Sequence, residues 1–238
     1  MSYPGPTVTA MKLAIVTGAG AGLGRALARG LADSGTKVLV ADIDADAAEE
    51  TARLVGGQAV PADIRDPEEC HRLVRLAVEA GGPHVLINNA GGWTPGDRQY
   101  PEARADAWTA TMTLNLIAPM LLSQLVLTPM RELGGGAIVN VASSAGAESD
   151  GYGSPEYASS KAGLIRLTSS LAGLAESHGV RMTCIVPGWI GLDRAHAQFA
   201  ALPPEVRAKT PPLIPPADVV ALALDLIATG RSGTVVEL

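Results

Sequence analysis

Two residues with the types and spacing for acid–base chemistry are Tyr157 and Lys161. Four positions apart, their side chains share one face of a helix, and Ser154-Pro155 supplies its start, a capping hydroxyl followed by Pro at the first helical position. A free phenol, with a pKa of about 10, is too weak an acid to ionise near neutrality. An adjacent ammonium favours the phenolate and lowers that pKa, the tuning that general acid–base catalysis uses. Ahead of the helix, Ala137 to Ala142 is an apolar run between Gly134-Gly135-Gly136 and Ser143-Ser144. It reads as a buried strand ending in two hydroxyls, able to hydrogen-bond a reacting oxygen. The same Tyr–Lys spacing also describes an ordinary exposed helix pair, so the chemistry depends on what the rest of the chain brings to this point.

The remaining elements alternate. Strands are expected at Lys12 to Thr17, Lys37 to Ala41, Ala59-Val60, Val85 to Ile87, Ala137 to Ala142, Val180 to Val186 and Gly233 to Leu238. Between them fall helical patterns over Arg25 to Ser34, Ala45 to Val55, a segment opened by Pro67, a long region from about Glu102 to Leu133 containing Asn115, the Tyr157 helix running to about Gly179, and Ala217 to Ala228. Residues 190 to 216 are Pro-rich with weak periodicity, as in a lid or binding loop. Strict alternation implies an α/β fold with a parallel sheet, helices on both faces and right-handed crossovers.

The first strand runs into Gly18-Ala19-Gly20-Ala21-Gly22-Leu23-Gly24 and then a helix. In that context a glycine loop lets the backbone approach a pyrophosphate at a helix N-terminus; alone it is only a tight turn. Asp42 closes the second strand, 18 residues beyond Gly24, where an acid can accept bonds from both adenosine ribose hydroxyls. Its charge would repel a 2′-phosphate, and no basic residue stands at Ala21 or Ile43, so NAD(H) is expected over NADP(H). Asp63, after the third strand, either reaches the adenine edge or caps the helix that begins at Pro67. Asn88-Asn89-Ala90-Gly91 ends the fourth strand at the same sheet edge, leaving room for a flat cofactor or forming a structural turn.

A 238-residue chain with 47% hydrophobic and 18% charged residues has material for one core. A net charge of −6 without a basic run argues against nucleic acid or an anionic membrane as partner, and no apolar run reaches the ~18 residues of a membrane span. Residues 1–10 lack a basic region followed by an apolar core; they are expected to be a flexible extension, with residues 11–238 forming a single domain. Cys70 and Cys184, the two cysteines, read as plain thiols of a reducing, cytoplasmic compartment. No metal site is expected.

In order and spacing, Thr17-Gly18-Ala19-Gly20-Ala21-Gly22-Leu23-Gly24, Asp63, Asn88-Asn89-Ala90-Gly91, Asn115, Ser144, Tyr157-Ala158-Ser159-Ser160-Lys161 and Pro187-Gly188 together resemble the short-chain dehydrogenase/reductase family, over about Lys12 to Leu238. The resemblance implies a three-layer, Rossmann-type doubly wound sheet of about seven strands. It implies a tetrad of Asn115, Ser144, Tyr157 and Lys161: Tyr157 exchanges a proton with the substrate oxygen, Lys161 lowers its pKa and bonds the nicotinamide ribose, Ser144 polarises the oxygen, and Asn115 holds a relay water. Ser144 rather than Ser143 is chosen because it lies 13 residues before Tyr157. The cofactor would be held by Gly18, Gly22, Leu23, Gly24, Asp42, Asp63, Ile64, Asn89, Ala90, Gly91, Tyr157, Lys161, Pro187, Gly188 and Ile190. Two departures stand out: Leu192 occupies the place of a frequent carboxamide-binding Thr, which leaves that bond to backbone near Ile190, and the family's usual continuation through Asp-Gly-Gly has no counterpart before Leu238.

Around the substrate the expectation is Trp93, Ser144, Glu148, Tyr152 and Trp189, with the aromatics serving either the pocket or packing and Glu148 either orienting a polar group or simply solvated. The expected activity is an NAD(H)-dependent oxidoreductase acting on a small secondary alcohol or ketone, in a homodimer or homotetramer paired through helices near Asn115 and Tyr157. Two rivals use related features: a non-catalytic dinucleotide sensor, which needs no proton donor, and a methyltransferase, in which the Tyr–Lys pair has no role.

Overall fold

The computed structural model describes residues 12–93, 97–149 and 151–238; the expected N-terminal extension lies outside them. Seven parallel strands run in the order β3-β2-β1-β4-β5-β6-β7. They are β1 Leu13–Thr17, β2 Lys37–Asp42, β3 Gln58–Pro61, β4 Val85–Asn88, β5 Gly136–Val141, β6 Val180–Val186 and β7 Val235–Glu237. The helices are α1 Gly22–Asp33, α2 Ala45–Val55, α3 Pro67–Glu79, α4 Ala105–Met112, α5 Ala118–Glu132, α6 Pro155–Ser170, α7 Leu174–His178, α8 Asp193–Ala201, α9 Pro204–Arg207 and α10 Pro216–Thr229. The doubly wound sheet is as expected.

Strand side chains alternate between two cores. Leu13, Ile15, Leu39, Leu86, Ile138 and Met182 meet α3, α5 and α7 on one face. Ala14, Val16, Val38, Val40, Ile87, Val139 and Ile185 meet α1, α2 and α10 on the other. Both faces are covered, so the strands read as continuous apolar runs. Sheet order reverses between β1 and β4, and their C-terminal ends diverge into a crevice, the ligand position of open α/β sheets.

Several boundaries differ from those expected. α1 begins at Gly22, not Arg25, so the end of the glycine loop is the first helical turn. There a Cβ on Gly24 would stand 1.9 Å from the Gly18 carbonyl oxygen, which only glycine permits. The Tyr157 helix stops at Ser170 instead of continuing to Gly179; Leu171 caps it and α7 follows as a separate short helix. The 190–216 stretch is not irregular throughout, since α8 and α9 lie within it. The long helical region is one rod, Ala105–Glu132, broken in register by a π-helical turn over Thr113–Ile117. This 28-residue rod is long and apolar enough to cross a membrane by length and composition, against the expectation that no run reached that length. Its Leu122, Val126 and Met130 are packed into the core under α3 and β5.

A buried polar chain ties β4 and β5 to the helices above them. Asn88 Nδ2 donates to Asn140 Oδ1 at 2.9 Å and to Ser123 Oγ at 3.2 Å, and Asn140 Nδ2 donates to Thr168 Oγ1 at 2.9 Å. Removing Asn140 takes one hydrogen bond each from Asn88 and Thr168, which keep their bonds to Ser123 and the Leu164 carbonyl, and leaves a cavity between them. Asn140→Ala is therefore expected to lower unfolding free energy by about 2–4 kcal/mol in urea titration; a loss under about 0.5 kcal/mol would show the network to be dispensable.

Candidate active site

Tyr157 sits in the first turn of α6. Ser154 Oγ accepts from Tyr157 N at 3.4 Å, and Pro155 takes the first helical position, as the sequence suggests. One turn on, Lys161 turns inward, 3% exposed. Its Nζ donates to the Val141 carbonyl at 2.8 Å, at the end of β5, and stands 5.7 Å from the Tyr157 ring centroid. Gly91, at the end of β4, makes room for this amine: a Cβ there would lie 2.6 Å from Asn115 Oδ1 and 2.9 Å from Lys161 Nζ. Asn115 is fully buried in the π turn, a feature that often marks functional sites. It holds the backbone of Gly92 from both sides, accepting from Gly92 N at 2.9 Å and donating to Gly92 O at 2.9 Å. So Asn115, Tyr157 and Lys161 converge on the end of β4.

Two expectations change at this point. Both serines line the cavity with Tyr157, and the hydroxyl that bears on the phenol, drawing its pKa down, is that of Ser143, where Ser144 was expected. Ser143 is the last extended residue after β5 (φ −166°, ψ 150°), before the 3-10 turn Ser144–Gly146. Counting back 13 residues lands one position too far along, inside that turn. Nor is the phenol's pKa lowered overall: burial is the largest influence on Tyr157 and pushes it up, opposed by the Ser143 hydroxyl, with Tyr152 adding to the rise. Burial acts on the lysine instead, drawing its pKa down to about 8. Tyr152 stacks on Tyr157, with centroids 5.8 Å apart and planes at 28°, and Trp93 meets Tyr152 edge-on at 6.1 Å.

Two cavities open along the sheet edge, with Gly91 on the wall of both. The larger, about 600 Å³, is lined by Leu23, Asn89, Ser143, Ser144, Tyr152, Tyr157, Lys161, Pro187, Gly188, Trp189 and Ile190, joined by Leu192, Arg194, Ala195 and Gln198. The smaller, about 320 Å³, is lined by Gly18, Asp42, Asp63, Ile64 and Ala90, with Ile43, Arg65 and Leu114. Asp42 is held in place by Gly20 N at 2.7 Å and Asp44 N at 3.0 Å. Asn89 Nδ2 donates to the carbonyls of Thr17 at 2.9 Å and Gly18 at 3.1 Å, locking the two strand ends together. Asp63 does not cap α3, a task that falls to Asp66. Its carboxylate grips Arg65 at 2.7 Å, and that hydrogen-bonded guanidinium holds it below the usual carboxylate range. Glu148 is exposed and outside the larger cavity's lining, and Trp93 lines a neighbouring cavity beside Glu156.

The cavity wall also includes Ser143, passed over for Ser144 in the sequence, and Arg194 and Gln198, which the sequence did not single out. Those two share a face only once α8 exists.

Residues 12–202 match the short chain dehydrogenase family. The chain belongs to that family. Among its relatives, the 7α-hydroxysteroid dehydrogenase of Escherichia coli K12 is 36% identical over 204 residues, covering 83% of this chain and 77% of that protein. The 3-oxoacyl-[acyl-carrier-protein] reductase FabG of Vibrio cholerae is 33% identical over 189 residues, covering 78% of this chain and 76% of that protein. In three dimensions, a 7α-hydroxysteroid dehydrogenase complexed with NADH and 7-oxo glycochenodeoxycholic acid superposes with a TM-score of 0.83 at 34% identity, covering 95% of this chain and 92% of that one. This short-chain dehydrogenase is thus an oxidoreductase of a family that binds a nicotinamide cofactor. The cavities fit such a group: the glycine loop at a helix N-terminus, the acid at the end of β2 and the space left bare by Gly91 lie along one edge.

The buried lysine gives the enzyme a measurable pH signature. Its folded pKa of about 8 lies below the ordinary 10.5, so between these values the unfolded chain holds a proton that the folded chain lacks, and stability rises with pH. Cys70 and Cys184, pushed by burial from 9.0 up to about 11, oppose this. The cysteines offset most of this rise in the wild type itself, so the lysine is read as a difference: between pH 8 and 9 the stability of wild type relative to Lys161→Met, from urea unfolding, should rise by about 1 kcal/mol. A difference that stays constant across this interval would contradict the assignment.

Proposed function

We propose that this short-chain dehydrogenase moves hydride between NAD(H) and a secondary alcohol or its ketone, with Tyr157 as the general acid and base. The observation that carries the reading is a phenol on the same cavity wall as Ser143, one turn from a buried amine, in a cavity that shares Gly91 with the Asp42 cavity. When bound, the nicotinamide supplies or accepts the hydride at the carbonyl carbon. Ser143 holds the substrate oxygen by a hydrogen bond. Tyr157 donates its proton to that oxygen on reduction and removes it on oxidation. Burial keeps the unliganded phenol protonated, which readies it for ketone reduction at neutral pH. Lys161, anchored on the Val141 carbonyl, provides positive charge beside the ring that stabilises phenolate as it forms. Asn115 fixes the Gly92 backbone against which these groups are set.

NAD(H) is favoured over NADP(H) because Asp42 is fixed on the ribose side, Ile43 is apolar, and the nearest cation, Arg65, is committed to Asp63. A homodimer or homotetramer is part of the proposal: Ile117 and Met120 are exposed, and an apolar groove of about 550 Å³ runs between them, Leu127 and Leu167. A cytoplasmic location is in keeping with two free, buried cysteines. The non-catalytic sensor leaves Ser143, Tyr157 and Lys161 without work.

The test is NADH and NADPH fluorescence titration followed by turnover on an alcohol and ketone panel. Tyr157→Phe should lower kcat by about 10²–10⁴-fold with NADH affinity preserved. Ser143→Ala should cost about 10²-fold, against less than about fivefold for Ser144→Ala. Asp42→Ala should narrow or reverse the preference for NADH. Retained turnover in Tyr157→Phe, or equal effects at the two serines, would refute these roles.

A further inference from the structure

The larger cavity has a charge pattern the chain as a whole does not share. The chain carries 24 acidic against 18 basic residues, yet the cavity lining holds two cations and no acid. One cation, Lys161, is spent on the Val141 carbonyl. The other, Arg194, makes no hydrogen bond or ion pair among the described residues, as is also true of exposed arginines such as Arg53, Arg75 and Arg166; what sets it apart is its place on the wall of this cavity. Gln198 lies one turn further along α8, on the same face, and lines the same cavity. Trp189, in an edge-on contact with Phe199 of α8 at 6.0 Å, supplies apolar wall beside them.

We propose that Arg194, with Gln198, is an anion-recognition site of the substrate cavity, so that the alcohol or ketone turned over at Tyr157 also carries a carboxylate. The inference rests on the proposed NAD(H)-dependent activity at Tyr157. A guanidinium presents paired N–H donors that match a carboxylate's two oxygens, and the Gln198 amide adds a neutral donor. The neighbouring apolar wall accepts the carbon skeleton. A phosphate of the dinucleotide is the other source of the same chemistry; Leu23 of the glycine loop lines this cavity too, but Gly22 of that loop faces Leu192, whose Cδ1 lies 3.3 Å from where a Cβ would be. The Arg194 side chain is left to the cavity.

The experiment is calorimetric titration of the NADH-saturated enzyme with 4-oxocyclohexanecarboxylate and, separately, its uncharged amide, repeated with 4-oxopentanoate and its amide, on wild type, Arg194→Met, Arg194→Lys and Gln198→Ala. The acid should bind wild type at least tenfold more tightly than the amide in one of the two pairs. Arg194→Met should bring that ratio to about one, and Arg194→Lys and Gln198→Ala to intermediate values, with NADH affinity within twofold throughout. Equal binding of acid and amide, or binding of neither, overturns the proposal. So does a tenfold loss of NADH affinity in Arg194→Met with an unchanged ratio, which assigns the residue to the dinucleotide phosphates. Failure of the underlying reading is separately visible, as absent NADH binding in wild type or full turnover in Tyr157→Phe.

Discussion

A lysine amine buried at the end of a β-strand is the constraint around which this molecule is arranged. Taking an ammonium out of water is costly unless it is hydrogen-bonded and paired, and the Lys161 amine is hydrogen-bonded to one carbonyl, that of Val141. The consequence is a softened base, drawn down to about 8 by burial, and a demand for space and order around it. Gly91 meets the first demand by lacking a side chain where Asn115 and Lys161 converge. The second is met by the polar chain from Asn88 through Asn140 to Thr168, which fixes β4 and β5 relative to α6. A site built this way is only as precise as its strand ends.

The two groups of the Tyr–Lys pair are pushed by burial in opposite directions, the phenol up and the amine down. Both shifts favour the neutral forms, as removal from water must. The pocket thus sets a phenol held protonated by burial beside an amine drawn down to about 8, and the charge that would make the phenolate accessible comes only when the amine is protonated.

Much of the fold was legible because its signals are local. Ser154-Pro155 placed the start of α6 and Ala45 to Val55 the whole of α2, since caps and apolar periodicity survive burial unchanged. What failed was of two kinds. Counting failed at Ser144: a one-residue difference between strand end and helix start is invisible in sequence, yet decides which hydroxyl meets the phenol. Periodicity failed over residues 190–216, where prolines at 203, 204, 211, 212, 215 and 216 mask nine residues of helix in α8. The π turn at Asn115 was likewise unreadable, because it displaces the helical register by a single residue inside an unbroken apolar pattern. Asp63 shows a third limit: the helix-cap reading fails because Asp66 caps α3, and the sequence reading did not see that Arg65, two residues on, would pair with a carboxylate that stays on the cavity wall.

The two ends of the crevice are built from different material, and this bears on how such a fold can change its substrate. Asp42, Asn89, Gly91, Ser143, Tyr157 and Lys161 all hang on strand ends or on the first two turns of α6, each fixed by backbone or buried partners. Arg194 and Gln198 ride on α8, a nine-residue helix that contributes one buried side chain, Ala195, and is followed by a proline-rich stretch. Altering the exposed face of α8 removes little core contact, so its substitutions change what the cavity accepts at low cost in stability. Altering the strand ends disturbs the lysine environment and everything tied to it. On the proposed reading function divides accordingly: proton chemistry belongs to the strand ends and the start of α6, and selectivity to the helix laid across the sheet edge.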